Sequence, residues 1–186
     1  MKVIFLDVDG VLNADSDFIY HSGKYKGEPK SRGPHVGNLF TGRYRGIDNK
    51  KVKRLAQIVS ETGAVLVLVS TWKEFYEKYQ TTGRNVYGRY LSQKLAQAGL
   101  KIYSTTLKEE QSEKRTGWAP HYMRGLGIEH WLENHKDSVT KWIAIDDEEW
   151  DYLPNQHDHI VRTVDYELPY GGLLDRQVKE AIQKLK

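Results

Sequence analysis

Asp7 and Asp9 stand one residue apart, directly after an apolar run at residues 3–6, and Gly10 follows them. Two other places repeat the pattern: Ser70-Thr71 closes the apolar run 64–69, and Asp146-Asp147 closes the run 141–145. Carboxylates delivered in pairs at strand ends are poor core material. They can, however, hold a hard divalent cation, attack an electrophile or carry a proton. A hydroxyl beside them can hydrogen-bond a group in transfer. A phosphate monoester is the electrophile that suits such a set, provided a cation offsets the repulsion between its dianion and the carboxylates. Asp-Gly is also common turn chemistry, so the chemical reading requires that the three places converge.

The elements that must bring them together are legible. Residues 3–6 are too few for a helix and have the β-rich composition of a strand buried on both faces. Asp48 is placed as a helix N-cap, Val52, Leu55, Ala56, Ile58 and Val59 follow at helical spacing, and Gly63 sits at the stop. The run Ala-Val-Leu-Val-Leu-Val at 64–69 is the strongest buried-strand signal in the chain. Strand, helix and strand make a parallel βαβ unit, and its right-handed crossover puts Ser70 on the same sheet edge as Asp7.

Farther along, Trp72, Phe75, Tyr76 and Tyr79 lie at helical spacing. An amphipathic face packed on the sheet is the favoured reading there, and a stacking platform for bases the sharper alternative. Residues 87–98 read as a helix ended by Gly99, and 101–104 as a short third strand. The polar stretch 108–119 reads as an exposed loop, with Pro120 opening a helical turn and Ile128, Trp131, Leu132 and His135 forming a helical stripe. Residues 141–145 are a fourth strand, 159–163 a fifth at the sheet edge, and 173–185 a final helix. The expected fold is α/β: a three-layer, Rossmann-like open parallel sheet of about five strands, helices on both faces, and no large cap domain. Sites in such sheets form outside the carboxyl ends of the strands.

The 186 residues suit one domain, 1–186, able to bury a core without cross-links. There is no cysteine, which excludes disulfides and zinc–thiolate sites, and the seven histidines show no metalloprotease spacing. Neither a signal peptide nor a membrane span is visible, so a cytoplasmic protein without membrane association is expected. Glycines at 23, 27, 33, 37, 42 and 46 and prolines at 29 and 34 make residues 13–47 an irregular, glycine-rich basic flap behind the aspartates. Residues 24–54 carry a net +8, against −5 over the remainder of a chain whose total is +3. That asymmetry suits an anionic partner, with a solvated loop as the plainer alternative.

In these motifs the chain resembles the haloacid dehalogenase (HAD) superfamily of phosphatases. Asp7-Val8-Asp9-Gly10-Val11 is similar to its first motif, Ser70 after Val-Leu-Val-Leu-Val to its second, and Asp146-Asp147 to its fourth. A closer resemblance is to the small HAD domains associated with nucleic-acid end repair. It rests on Asp-Val-Asp-Gly-Val-Leu-Asn at 7–13, Ser70-Thr71-Trp72, and Arg124-Gly125 ahead of Ile128, Trp131 and Leu132. The superfamily's third motif is normally a lysine; here Arg124 matches best by position, with Lys114 and Arg115 as runners-up.

The resemblance implies a Mg²⁺-dependent phosphomonoester hydrolase acting through an aspartyl-phosphate. Asp7 is the expected nucleophile, Asp9 the general acid and base, and Ser70 and Arg124 the groups that steady the transferring phosphoryl. Gly10, Thr71 and Lys114 are expected to bind substrate. Mg²⁺ is expected on Asp7, Asp147 and the backbone carbonyl of Asp9, with Asp146 supporting the loop or binding through water. A phosphorylated nucleic-acid end is the favoured substrate. A small-metabolite phosphatase and a non-enzymatic phospho-acceptor domain are the alternatives. The sequence carries no signal for oligomeric state.

Overall fold

The computed structural model describes residues 1–14, 18–20, 36–38, 43–107, 123–164 and 171–186. Lys114, Arg115, the loop expected over 108–119 and the turn at Pro120 lie outside these residues, as does most of the 13–47 flap.

The architecture is the expected one. Strand β1 (Lys2–Leu6) is central in a five-stranded parallel sheet. Its neighbours are β5 (Val65–Leu68) and β7 (Lys141–Asp146), and the edges are β6 (Ile102–Thr105) and β8 (Ile160–Arg162), in the order β6-β5-β1-β7-β8. The period-two alternation of β1 explains the layering. Ile4 and Leu6 point into a cluster with Leu55 and Ile58 of α1 (Asn49–Thr62), Leu91 of α3 (Val86–Ala96), and Val178 and Ala181 of α5 (Asp175–Leu185). Val3 and Phe5 point the other way, to Ile128 and Trp131 of α4 (Met123–Asn134) and to Tyr152. Side chains fully buried in this way contribute about 1.5–3 kcal/mol each, so the strand that delivers Asp7 is gripped from both faces.

Local signals behave as their chemistry dictates. Asp48 caps α1 by accepting from the Lys50 amide at 2.8 Å, and Gly63 ends it in the left-handed conformation, φ 68°. Trp72 opens α2 (Trp72–Thr82) and is fully buried, with Phe75 and Tyr76 packed on the core. The packing face is therefore what Trp72, Phe75 and Tyr76 make of that stripe, and a base-stacking platform on Trp72 is excluded. Residues 13–47 differ from expectation. Three three-residue strands, β2 (Phe18–Tyr20), β3 (Val36–Asn38) and β4 (Arg43–Arg45), pair antiparallel in the order β2-β4-β3. Each is too short to show a period in sequence. The segment leaves and returns at one point, where the Asp48 amide donates to the Leu12 carbonyl at 2.9 Å.

Candidate active site

Register determines what meets at the rim. Leu6 is level with Leu68 on one side and Ile145 on the other. The next residues of all three strands therefore emerge together, and the Asp7 amide still donates to the Ile145 carbonyl at 3.1 Å. Carboxylate oxygens of Asp7, Asp146 and Asp147 lie within 4.8 Å of one another, and all three residues are buried. Ser70 is buried beside them, with its hydroxyl near enough to Asp7 to favour the ionised carboxylate. Thr71 is exposed.

Gly10 lets the first and fourth motifs touch. It turns with φ 75°, and a Cβ added there would lie 2.1 Å from Asp147 Cγ. The backbone turn is pinned from two sides: the Gly10 amide donates to Asn13 Oδ1 at 3.1 Å, and the Thr163 hydroxyl donates to the Gly10 carbonyl at 2.7 Å.

Arg124, in the first turn of α4, reaches into the acidic cluster. Its guanidinium pairs with Asp146, lies 3.7 Å from Asp7 Oδ1, and approaches Asp151 Oδ2 at 3.4 Å. Asp146 is further held by the Tyr152 hydroxyl at 2.6 Å and by the Glu148 amide at 3.0 Å. Gly125 sits tightly against this loop, its amide donating to the Asp151 carbonyl at 2.9 Å. A Cβ there would lie 2.5 Å from the Leu153 nitrogen, which accounts for the Arg-Gly step.

Electrostatics follow from burial. The Asp7 carboxyl is held well above the ordinary aspartate range, first by burial and then by the charge of Asp146, with Arg124 and the Ser70 hydroxyl pulling the other way. Burial works against the charge of Arg124, but Asp7 and Asp146 more than offset it, so its pKa rises and it stays cationic. Burial and Asp146 raise the Tyr152 hydroxyl too, which keeps it a donor. Asp7 Oδ1 is buried without a hydrogen-bond partner among the described residues. A buried carboxylate with one oxygen short of a hydrogen bond, beside two further carboxylates, is a donor set that a hard divalent cation fits.

Asp9 stands apart from that trio. Its carboxylate accepts from Asn13 Nδ2 at 2.7 Å and from the Trp72 indole at 3.0 Å. The structure thus brings Asp7, Gly10, Ser70, Arg124, Asp146 and Asp147 to one rim, and Lys114 lies outside the described residues. Sequence reasoning counted Asn13 in the resembled motif without giving it a role, and it missed Tyr152 and the contact of Asp151 with Arg124. Asn13 had a local signal, a short amide three residues after the turn glycine; Tyr152 had none.

A central parallel strand ending in Asp-x-Asp, flanked by strands ending in a serine and an acidic pair, is the arrangement of a HAD-type domain. The family described as the HAD domain in Swiss Army Knife RNA repair proteins matches residues 3–169. The chain belongs to that family. No curated protein and no solved structure matches it. Among the described residues, no helix is long and apolar enough to cross a membrane.

Proposed function

We propose that this domain is a Mg²⁺-dependent phosphomonoester hydrolase that removes phosphate from nucleic-acid ends through an aspartyl-phosphate on Asp7. The observation that carries the reading is the buried Asp7 carboxylate. One of its oxygens lacks a hydrogen-bond partner among the described residues, and it faces Asp146 and Asp147 across less than 4.8 Å. Asp7 and Asp147 would hold Mg²⁺ together with the Asp9 backbone carbonyl. Bound there, the cation would neutralise the carboxylates and the substrate dianion so that they can approach. Asp146, already engaged by Arg124, Tyr152 and the Glu148 amide, acts as a bridge that orients Arg124.

Asp7 attacks phosphorus in line, and the bond to the leaving oxygen breaks as the aspartyl-phosphate forms. Asp9 gives that oxygen its proton, then takes one from the water that hydrolyses the intermediate. Ser70 hydrogen-bonds the transferring group, and Arg124 balances its charge. Gly10 keeps the backbone close, and Thr71, exposed at the start of α2, is available to substrate.

Two features favour a nucleic-acid end over a small metabolite. Residues 24–54 carry a net +8. Trp150 is 60% exposed on the loop between Asp147 and Asp151, which offers a terminal base an indole face. The direct test compares RNA and DNA oligonucleotides bearing 3′- or 5′-phosphates with sugar phosphates, with Mg²⁺ and with chelator. Oligonucleotide turnover should be fastest, metal-dependent and steeply reduced by salt. Faster, salt-indifferent turnover of sugar phosphates would overturn the substrate assignment. Stoichiometric phosphorylation without turnover would point to a phospho-acceptor domain.

A further inference from the structure

Asp9 is held on both of its carboxylate oxygens by donors from two separate parts of the chain. Asn13 Nδ2 donates to Oδ1 at 2.7 Å, and Trp72 Nε1 donates to Oδ2 at 3.0 Å. Both donors are themselves fixed. Asn13 is fully buried and spends its own Oδ1 on the Gly10 amide, so its amide group cannot rotate without losing that bond. Trp72 is fully buried, with its ring edge-on to Phe75 at 6.2 Å and 88°. Its backbone amide lies 3.4 Å from Ser70 Oγ. A carboxylate tethered on one oxygen can swing; tethered on both, its two side-chain torsions are set. Each oxygen keeps a second lone pair, so a proton can still be taken and given while the tethers hold.

We infer that Asn13 and Trp72 are positioning residues that set the Asp9 carboxylate in its proton-transfer pose, coupling the Asp-x-Asp turn to the start of α2. The inference rests on the phosphatase reading above. If the bonds served only to satisfy a half-buried carboxylate, their loss would lower stability and affect all substrates alike. If they aim the proton, their loss falls on the step that needs one. An alkoxide leaving from a nucleotide sugar must be protonated as the phosphorus–oxygen bond breaks. A nitrophenolate leaves without help.

The experiment uses Trp72→Phe, which keeps a ring and removes the N–H, and Asn13→Asp, which keeps the acceptor for the Gly10 amide and removes the donor. A phosphorylated oligonucleotide and p-nitrophenyl phosphate are the two substrates, with Asp9→Asn as the reference for complete loss. Expected in both variants is a fall in kcat of about 10- to 100-fold on the oligonucleotide, part of what a general acid supplies, with KM changed less than about threefold. First-turnover release of nitrophenolate should stay within about threefold of wild type. The later hydrolysis slows, so a burst approaching one equivalent per enzyme should appear. In ¹⁵N-labelled protein, the Trp72 indole N–H resonance should move in Asp9→Ala, a readout independent of turnover. Equal first-turnover losses on the two substrates, no loss on either, or an unmoved indole resonance would overturn the inference. In those cases an active wild type leaves the phosphatase reading standing. A wild type that turns over neither substrate with Mg²⁺ removes both.

Discussion

The Asp147 carboxylate fills the space where a side chain on Gly10 would begin, with Cγ 2.1 Å from the ideal Cβ position. Two residues 137 apart in sequence thus share one small volume, and the absent side chain of one is what admits the acid of the other.

Gly10→Ala should therefore act on the proposed metal site before it acts on the fold. The new methyl displaces Asp147, and the positive φ adds strain of about 1 kcal/mol. Affinity for Mg²⁺, or for Mn²⁺ as a calorimetric probe, should fall at least about tenfold, as removing one carboxylate from a small oxygen set implies. Titration calorimetry reads it, and unchanged affinity would refute the packing relationship.

Asp7→Asn should abolish turnover while stabilising the metal-free protein near neutral pH. The Asp7 carboxyl is raised in the folded state by burial and by Asp146. Its contribution is therefore fully present below the unfolded aspartate pKa and is lost as pH rises through the folded value. In chelator, wild-type Tm should decline with rising pH relative to Asp7→Asn, and the gap should close at low pH. Each kcal/mol shifts Tm by about 2–4 °C at this chain length. A pH scan of thermal unfolding checks the sign.

Arg124→Met should cost about 3–5 kcal/mol of stability in the metal-free state. It strips the cation from buried Asp146 and leaves Asp7 and Asp151 facing an apolar group. Arg124→Lys keeps the charge but not the fork that reaches Asp146 and Asp151 together, so its loss should be smaller. Denaturant titration ranks the two, and a neutral Arg124→Met would contradict the network.

Trp150→Ala should weaken oligonucleotide substrates by about 5- to 30-fold in KM, the equivalent of roughly 1–2 kcal/mol of lost base stacking. Turnover of an aryl phosphate, which has no base, should be unchanged. Steady-state kinetics on the two substrates tests this, and parallel losses on both would assign Trp150 to loop structure.

The sheet and its rim were legible because buried parallel strands are short continuous apolar runs, and whatever follows each run must emerge on the same side. Asp7, Ser70 and Asp146 could be placed together on that ground alone. Partners joined by tertiary contact left no comparable trace. Tyr152 reaches Asp146 through the fold of a loop, and Trp72 reads as core by spacing although its N–H faces Asp9. The three-residue strands of the 13–47 segment fell below the length at which alternation can be counted.

The placement of β1 between β5 and β7 has a temporal side. A ribosome has released Asp7 and Ser70 long before it reaches residue 141, where β7 begins. Until that strand docks, one flank of β1 is bare and two of the three clustered carboxylates are missing. On the proposed reading, a chain still short of β7 lacks the carboxylates needed to hold the cation, and the onset of metal binding during synthesis would mark the moment the sheet closes around its middle strand.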